Sequence, residues 1–131
     1  MKPIASSELI INSDGSVFHL HLRPEELAEN VILVGDPGRV DMVSSFFDNK
    51  EFTKSSREFN TVTGSYRGKR VTVLSTGIGT DNIDIVMNEL DALVNIDLET
   101  RTIKEEKKSL NILRIGTSGA IQPEIPLGSF V

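Results

Sequence analysis

The sequence predicts an α/β fold with a largely parallel central sheet. Three observations carry this expectation. Short apolar runs end in glycine turns, at Val31-Ile32-Leu33-Val34-Gly35, at Val71-Thr72-Val73-Leu74 ahead of Gly77, and over residues 110–115 ahead of Gly116. Helical periodicity follows the first two turns. The length, 131 residues, is that of a single domain, with no internal repeat and no linker.

Residues 1–15 are polar, broken by Pro3 and Asp14-Gly15, and read as a flexible arm or a loose first strand. Residues 17–22 are extended in character. Residues 23–28 read as one helical turn with Pro24 near its start. The run Val31 to Val34 suits a strand buried on both faces. Asp36 is a good N-cap and Pro37 a good first helical residue. Val40, Val43 and Phe47 then recur at the helical period. Residues 59–66 and 70–75 are β-rich and joined by Arg67-Gly68-Lys69, which predicts a hairpin. In a second helix Ile83, Val86, Leu90 and Leu93 share one face, with Asp81 as the expected cap and Asp84 three residues on. Residues 99–108 are charge-rich and predict a solvated loop or hairpin. Residues 110–115 form another strand, and residues 127–131 begin one more.

Composition narrows the function classes. Without cysteine there is no disulfide, thiol nucleophile or thiolate ligand set. Fourteen Lys and Arg against 19 Asp and Glu give a formal charge of −5, which argues against general nucleic-acid binding. No apolar run approaches the ~20 residues of a membrane span, and the first residues lack the apolar stretch of a secretory signal. A soluble cytoplasmic protein is the expectation.

Candidate chemistry gathers at the glycine turns. Gly35-Asp36-Pro37-Gly38-Arg39 joins a strand to a helix start, where free backbone N–H groups, a close-approaching Gly35 and the Arg39 fork suit an anion. An ordinary strand–helix corner with a surface arginine is the plainer alternative. Arg114 sits in Asn111-Ile112-Leu113-Arg114-Ile115, which reads as a buried strand, so it needs a carboxylate or a bound anion as partner. It precedes Gly116-Thr117-Ser118-Gly119, and ligands bind at the carboxyl ends of strands in open α/β sheets. Gly77-Ile78-Gly79-Thr80-Asp81-Asn82 has Asn82 where a dinucleotide fingerprint has its third glycine, and no Gly-Lys-Ser/Thr sequence exists for a P-loop. His19 and His21 would share a face of a strand, but no third histidine or cysteine completes a metal site. Glu58 beside Arg57 reads as an exposed ion pair of little worth. No nucleophile motif is present, so covalent catalysis is not expected.

Five motifs occur in order: Val17-Phe18-His19-Leu20, Gly35-Asp36-Pro37-Gly38-Arg39, Arg57-Glu58-Phe59, Ser75-Thr76-Gly77-Ile78-Gly79 and Arg114-Ile115-Gly116-Thr117-Ser118-Gly119-Ala120. Together they resemble the nucleoside phosphorylase family, in its uridine-cleaving branch, from Val17 to the end of the chain. The resemblance implies a central mixed β-sheet flanked by helices, and phosphorolysis of a pyrimidine nucleoside: uridine plus phosphate giving uracil and ribose 1-phosphate. Purine nucleoside phosphorolysis, and a non-catalytic phosphate- or nucleotide-binding remnant, are the alternatives. A nucleosidase would not need Arg39, Arg57 and Arg114 together.

Carried over by motif, the resemblance assigns phosphate to Gly35, Arg39, Arg114 and Thr117, with Arg57 arriving from a neighbouring subunit. His19 would reach across likewise to the ribose 5′-hydroxyl, and Thr76 and Gly77 would form the turn next to the substrate. No cofactor is implied. Phosphate is the co-substrate, and a potassium ion at a subunit interface would involve Glu58, Ile78 and the position held by Asn82, where relatives often carry serine. The expected partners are small-molecule nucleoside and phosphate and further copies of the chain, as a homodimer or a hexamer of dimers, with no nucleic acid and no membrane. The resemblance also marks residues 1–131 as the amino-terminal half of the family domain. The groups that the family uses on the base, on the ribose hydroxyls and as a late acid would lie beyond them, so the 131 residues alone are expected to be inactive.

Overall fold

The computed structural model describes residues 2–130. A 3₁₀ turn (Pro24–Glu26) precedes β1 (Asn30–Val34), α1 (Gly38–Ser44), β2 (Asn49–Ser56), β3 (Phe59–Tyr66), β4 (Lys69–Ser75), α2 (Thr80–Asn95), β5 (Ile96–Asp97), β6 (Thr102–Ile103) and β7 (Asn111–Ile115). Five strands form one sheet in the order β2-β3-β4-β1-β7. β1 is parallel to both β4 and β7, whereas β2, β3 and β4 form an antiparallel meander. The sheet is thus mixed, as the resemblance implied, and less parallel than periodicity alone suggested. The difference lies in the hairpins, which need only short turns. Arg67 and Gly68 both adopt positive φ, 47° and 76°, the geometry a two-residue hairpin turn requires. β2 escaped the sequence reading because Asn49–Ser56 is polar; it is an edge strand that exposes Asn49, Lys50 and Glu51, which discourages further pairing.

β1 is buried on both faces because it lies between two layers. Val31 and Leu33 pack with Leu74, Phe59 and the α2 residues Val86, Leu90 and Leu93. Val34 faces the other way, with Val40 of α1, Val62 and Val73. Each such side chain contributes about 1.5–3 kcal/mol by leaving water. Glu26 is buried at the lower edge of this core, where its carboxylate accepts from the Arg23 N–H at 3.0 Å and meets Lys54 Nζ at 3.1 Å. No helix among the described residues is long and apolar enough to cross a membrane.

Several local expectations are corrected. Residues 17–22 are a closed turn rather than an extended run: the Val17 N–H donates to the Leu22 carbonyl at 2.9 Å and the His21 N–H to the Val17 carbonyl at 3.1 Å. His21 is exposed with φ 54°, so it shares no strand face with His19. α1 has only seven residues, too short for a strong dipole, although Asp36 does accept the Gly38 N–H at 2.9 Å. α2 is capped by Gly79, with Asp81 inside the first turn. Residues 127–130 form no strand, and Val131 lies outside the described residues.

The charged excursion after α2 contains the short β5–β6 hairpin, and it engages the amino-terminal arm. Arg101 accepts the Ile4 N–H at its carbonyl at 2.8 Å, while its guanidinium donates to the carbonyls of Ile4 at 2.9 Å, Ala5 at 3.2 Å and Leu9.

Candidate functional site

Parallel pairing fixes where the glycine turns lie. Leu33 is level with Leu74 on one side and with Arg114 on the other. The carboxyl ends of β1, β4 and β7 therefore align, and the turns beyond them meet. The Gly77 N–H donates to the Gly35 carbonyl at 2.9 Å, and the Thr76 N–H to the Val34 carbonyl at 2.8 Å. A Cβ on Gly35 would stand 3.8 Å from the Gly77 carbonyl oxygen and 3.9 Å from Arg114 Nη2. The Arg114 guanidinium folds back over the end of its own strand, so that a Cβ on Gly116 would collide with it. Gly35, Gly77 and Arg114 form one cluster at the switch between strands, and Arg39 follows half-buried in the first turn of α1.

The burial argued for Arg114 is not found. All of β7 is exposed, because β7 is an edge strand whose one paired neighbour among the described residues is β1. In this chain Arg114 is therefore solvated at the end of β7. Thr117 lies in the exposed segment that follows, with no hydrogen bond among the described residues.

The turn between β2 and β3 reaches the same region. The Ser75 hydroxyl donates to the Glu58 carbonyl at 2.6 Å and accepts the Asn60 N–H at 2.8 Å, which ties that turn to the end of β4. Arg57 is exposed at its apex with φ 53°. Glu58 does not pair with Arg57; its partner is Asn82, whose Nδ2 donates to Glu58 Oε1 at 2.8 Å and to the Ile78 carbonyl at 3.3 Å. A hydrogen bond from its own backbone N–H, and then the Asn82 amide, hold the Glu58 carboxyl below the ordinary glutamate range. Gly77 is required here: with φ 68°, a Cβ on it would fall 2.7 Å from Glu58 Cγ and 3.0 Å from Asn82 Nδ2.

Glu58 and Ile78, the residues that the resemblance assigned to a potassium ion, are bridged here by the Asn82 amide. A hard cation needs oxygen ligands turned toward it, and both oxygens already accept from one amide nitrogen.

His19 is held apart from His21 and bound to α2, with its Nδ1 2.7 Å from Glu89 Oε1. Sequence reasoning missed Glu89, although the signal was present: it lies on the same helical stripe as Val86, Leu90 and Leu93. A cleft of about 500 Å³ opens at the amino ends of β1 and β7 between Leu27, Leu93, Lys104 and Leu110, away from this cluster.

Strand ends that present glycine backbones and an arginine, inside a mixed sheet flanked by helices, define the class. Residues 29–131 match the model of the Phosphorylase superfamily, and the chain belongs to that superfamily. Within it, the chain is 34% identical over 131 residues to the uridine phosphorylase of Thermococcus kodakarensis, covering 100% of this chain and 42% of that protein. It is 34% identical over 113 residues to the guanosine phosphorylase of Halorubrum lacusprofundi, covering 86% of this chain and 41% of that protein. A crystal structure of a Trypanosoma brucei nucleoside phosphorylase, described as showing uridine phosphorylase activity, superposes with a TM-score of 0.83 at 39% identity, over 90% of this chain and 41% of that one. The chain thus spans about two-fifths of the length of these relatives.

Proposed function

We propose that this chain supplies the phosphate-holding part of an enzyme that cleaves a pyrimidine nucleoside by phosphorolysis. The observation that carries the reading is the meeting of Gly35, Gly77 and Arg114 at the aligned carboxyl ends of β1, β4 and β7. The resemblance of the five motifs and the names of the relatives supply the substrate class. An orthophosphate oxygen attacks C1′ of uridine as the C1′–N1 bond breaks. The bonding pair leaves with the base, and uracil takes up a proton. Charge separates in an oxocarbenium-like transition state, so holding the anion in line is the main task.

In this reading the Gly35 backbone, Arg39, Arg114 and Thr117 hold phosphate. Arg57 of a neighbouring copy completes the cage, and His19 of that copy meets the ribose 5′-hydroxyl. Thr76 and Gly77 line the floor beneath the substrate. A homodimer, alone or built into a hexamer, follows from that sharing. The 131 residues alone bind phosphate without turnover, since none of the groups that the family uses on the base lies among them.

The test is uracil release from uridine by the full-length protein, with and without phosphate. Release that depends on phosphate supports the reading; release without phosphate, or none at all, overturns it. The purine alternative is favoured by one observation, the comparable identity to a guanosine phosphorylase. Parallel assays with guanosine and inosine separate the two.

A further inference from the structure

α2 buries one carboxylate that the proposed chemistry does not use. Glu89 is only 8% exposed, on the apolar stripe that faces the core. A carboxylate so placed is costly unless hydrogen-bonded, yet it has no lysine or arginine partner among the described residues. Its oxygens are satisfied by a single short segment instead. Oε1 accepts the His19 N–H at 2.9 Å, and Oε2 accepts the N–H groups of Leu20 at 2.8 Å and of His19 at 3.1 Å. The remaining contact is the His19 ring, with Nδ1 2.7 Å from Oε1.

This arrangement fixes more than position. An ionised carboxylate only accepts, so Nδ1 must carry hydrogen. A neutral His19 therefore bears its lone pair on Nε2, and Nε2 makes no hydrogen bond among the described residues. The ring plane is also set: Phe18 stands edge-on to it, with centroids 4.9 Å apart at 83°. The two backbone bonds hold residues 19 and 20 against α2, so neither ring nor backbone can turn away without stripping a buried carboxylate.

We infer that Glu89 is the positioning residue for His19, holding the imidazole in the Nδ1–H form so that Nε2 accepts a hydrogen bond from the substrate's 5′-hydroxyl. This rests on the reading above that His19 meets the sugar. It extends that reading to specificity: a neutral acceptor at this point favours nucleosides with a free 5′-hydroxyl over analogues that lack one, because the analogue leaves Nε2 unpaired.

The experiment has two arms. In the full-length protein, uridine and 5′-deoxyuridine are compared at saturating phosphate for wild type, Glu89→Gln and His19→Ala. Both variants are expected to lose at least about 10-fold of the preference for uridine, while the phosphate requirement stays near wild type. Equal loss on both nucleosides in Glu89→Gln, with the preference intact, overturns the positioning role. A preference that survives His19→Ala overturns the contact with the sugar. The second arm needs no variant. Nitrogen-15 spectra of the wild-type protein under the assay conditions are expected to show His19 with hydrogen on Nδ1 and an unprotonated Nε2, and hydrogen on Nε2, alone or together with Nδ1, overturns the inference. That spectrum is read even if the protein cleaves no nucleoside, so failure of the functional reading and failure of the Glu89 assignment are told apart.

Discussion

The Asn82 carboxamide, in the first turn of α2, donates to Glu58 Oε1 at 2.8 Å, and this one bond ties the turn between β2 and β3 to a helix start 24 positions further along the sequence. The same amide also donates to the Ile78 carbonyl, so it engages both oxygens that the family resemblance assigned to a potassium ion. The full-length protein should accordingly be indifferent to the monovalent cation. Its thermal midpoint is expected to be the same in potassium chloride and in tetramethylammonium chloride of equal ionic strength. Asn82→Ser, which removes the amide, is expected to gain a potassium-specific rise. A potassium-specific rise of several degrees in the wild type would sink this account.

The same bond has a pH signature. Glu58 titrates below its ordinary value of 4.5, held there first by its own backbone N–H and then by Asn82. A depressed carboxyl stabilises the fold above its unfolded value and loses that contribution as pH falls through the folded one. Asn82→Ala should raise the Glu58 value toward the ordinary one. It should also narrow the gap in denaturant midpoint between neutral pH and a pH below 4.5. Carbon-13 titration of the Glu58 carboxyl and the two midpoints check it; an unshifted titration refutes it.

Gly77 is predicted to be the least replaceable turn glycine of the site. Its φ of 68° would cost an alanine about 1–2 kcal/mol from backbone strain alone, and its Cβ would press on Glu58 as well. Gly68 has φ 76° with nothing within 4 Å of its Cβ position, so it isolates the backbone part. Gly77→Ala should lower the denaturant midpoint clearly more than Gly68→Ala. Equal losses would mean that Glu58 yields freely.

Arg114→Ala tests the phosphate assignment. Hydrogen bonds to charged groups are worth about 1.5–3 kcal/mol, so the KM for phosphate should rise about 10- to 100-fold while that for uridine moves much less. Saturation curves in each substrate give the split. An unchanged phosphate KM removes Arg114 from the site.

Sharing between subunits is tested by mixing. Arg57→Ala and Arg114→Ala proteins, each with low activity, should recover part of it when reassembled together, since a mixed dimer has one site with both arginines. No recovery despite demonstrated subunit exchange would place Arg57 in its own subunit's site.

Much of this fold was legible because its strongest elements obey local rules. Val31 to Val34 has no polar interruption and is buried on both faces, and Arg67-Gly68 announces its hairpin. What was illegible depended on context. An apolar run reads alike whether it becomes a central strand or an edge, so the exposure of β7 in this chain could not be read from it, while the place of Arg114 at a strand end could. β2 carries a lone aromatic among polar residues, as exposed edges do. Glu89 looks like one more solvated helix carboxylate until its helical stripe is counted, and its backbone partners lie about 70 residues away in sequence.

The sheet order has a kinetic consequence. β2, β3 and β4 are joined by tight turns and can pair as soon as they exist, but β1, though first in the chain, lies between β4 and β7. Asn30 meets Asn111 across 81 positions. Loop closure over such a span must occur before the contact rewards it, and parallel pairings of this kind slow folding. On a ribosome the meander is complete while one edge of β1 still waits for β7. During that interval Val31 and Leu33 rest against a half-built layer, and the nascent chain depends on α2 to shield them.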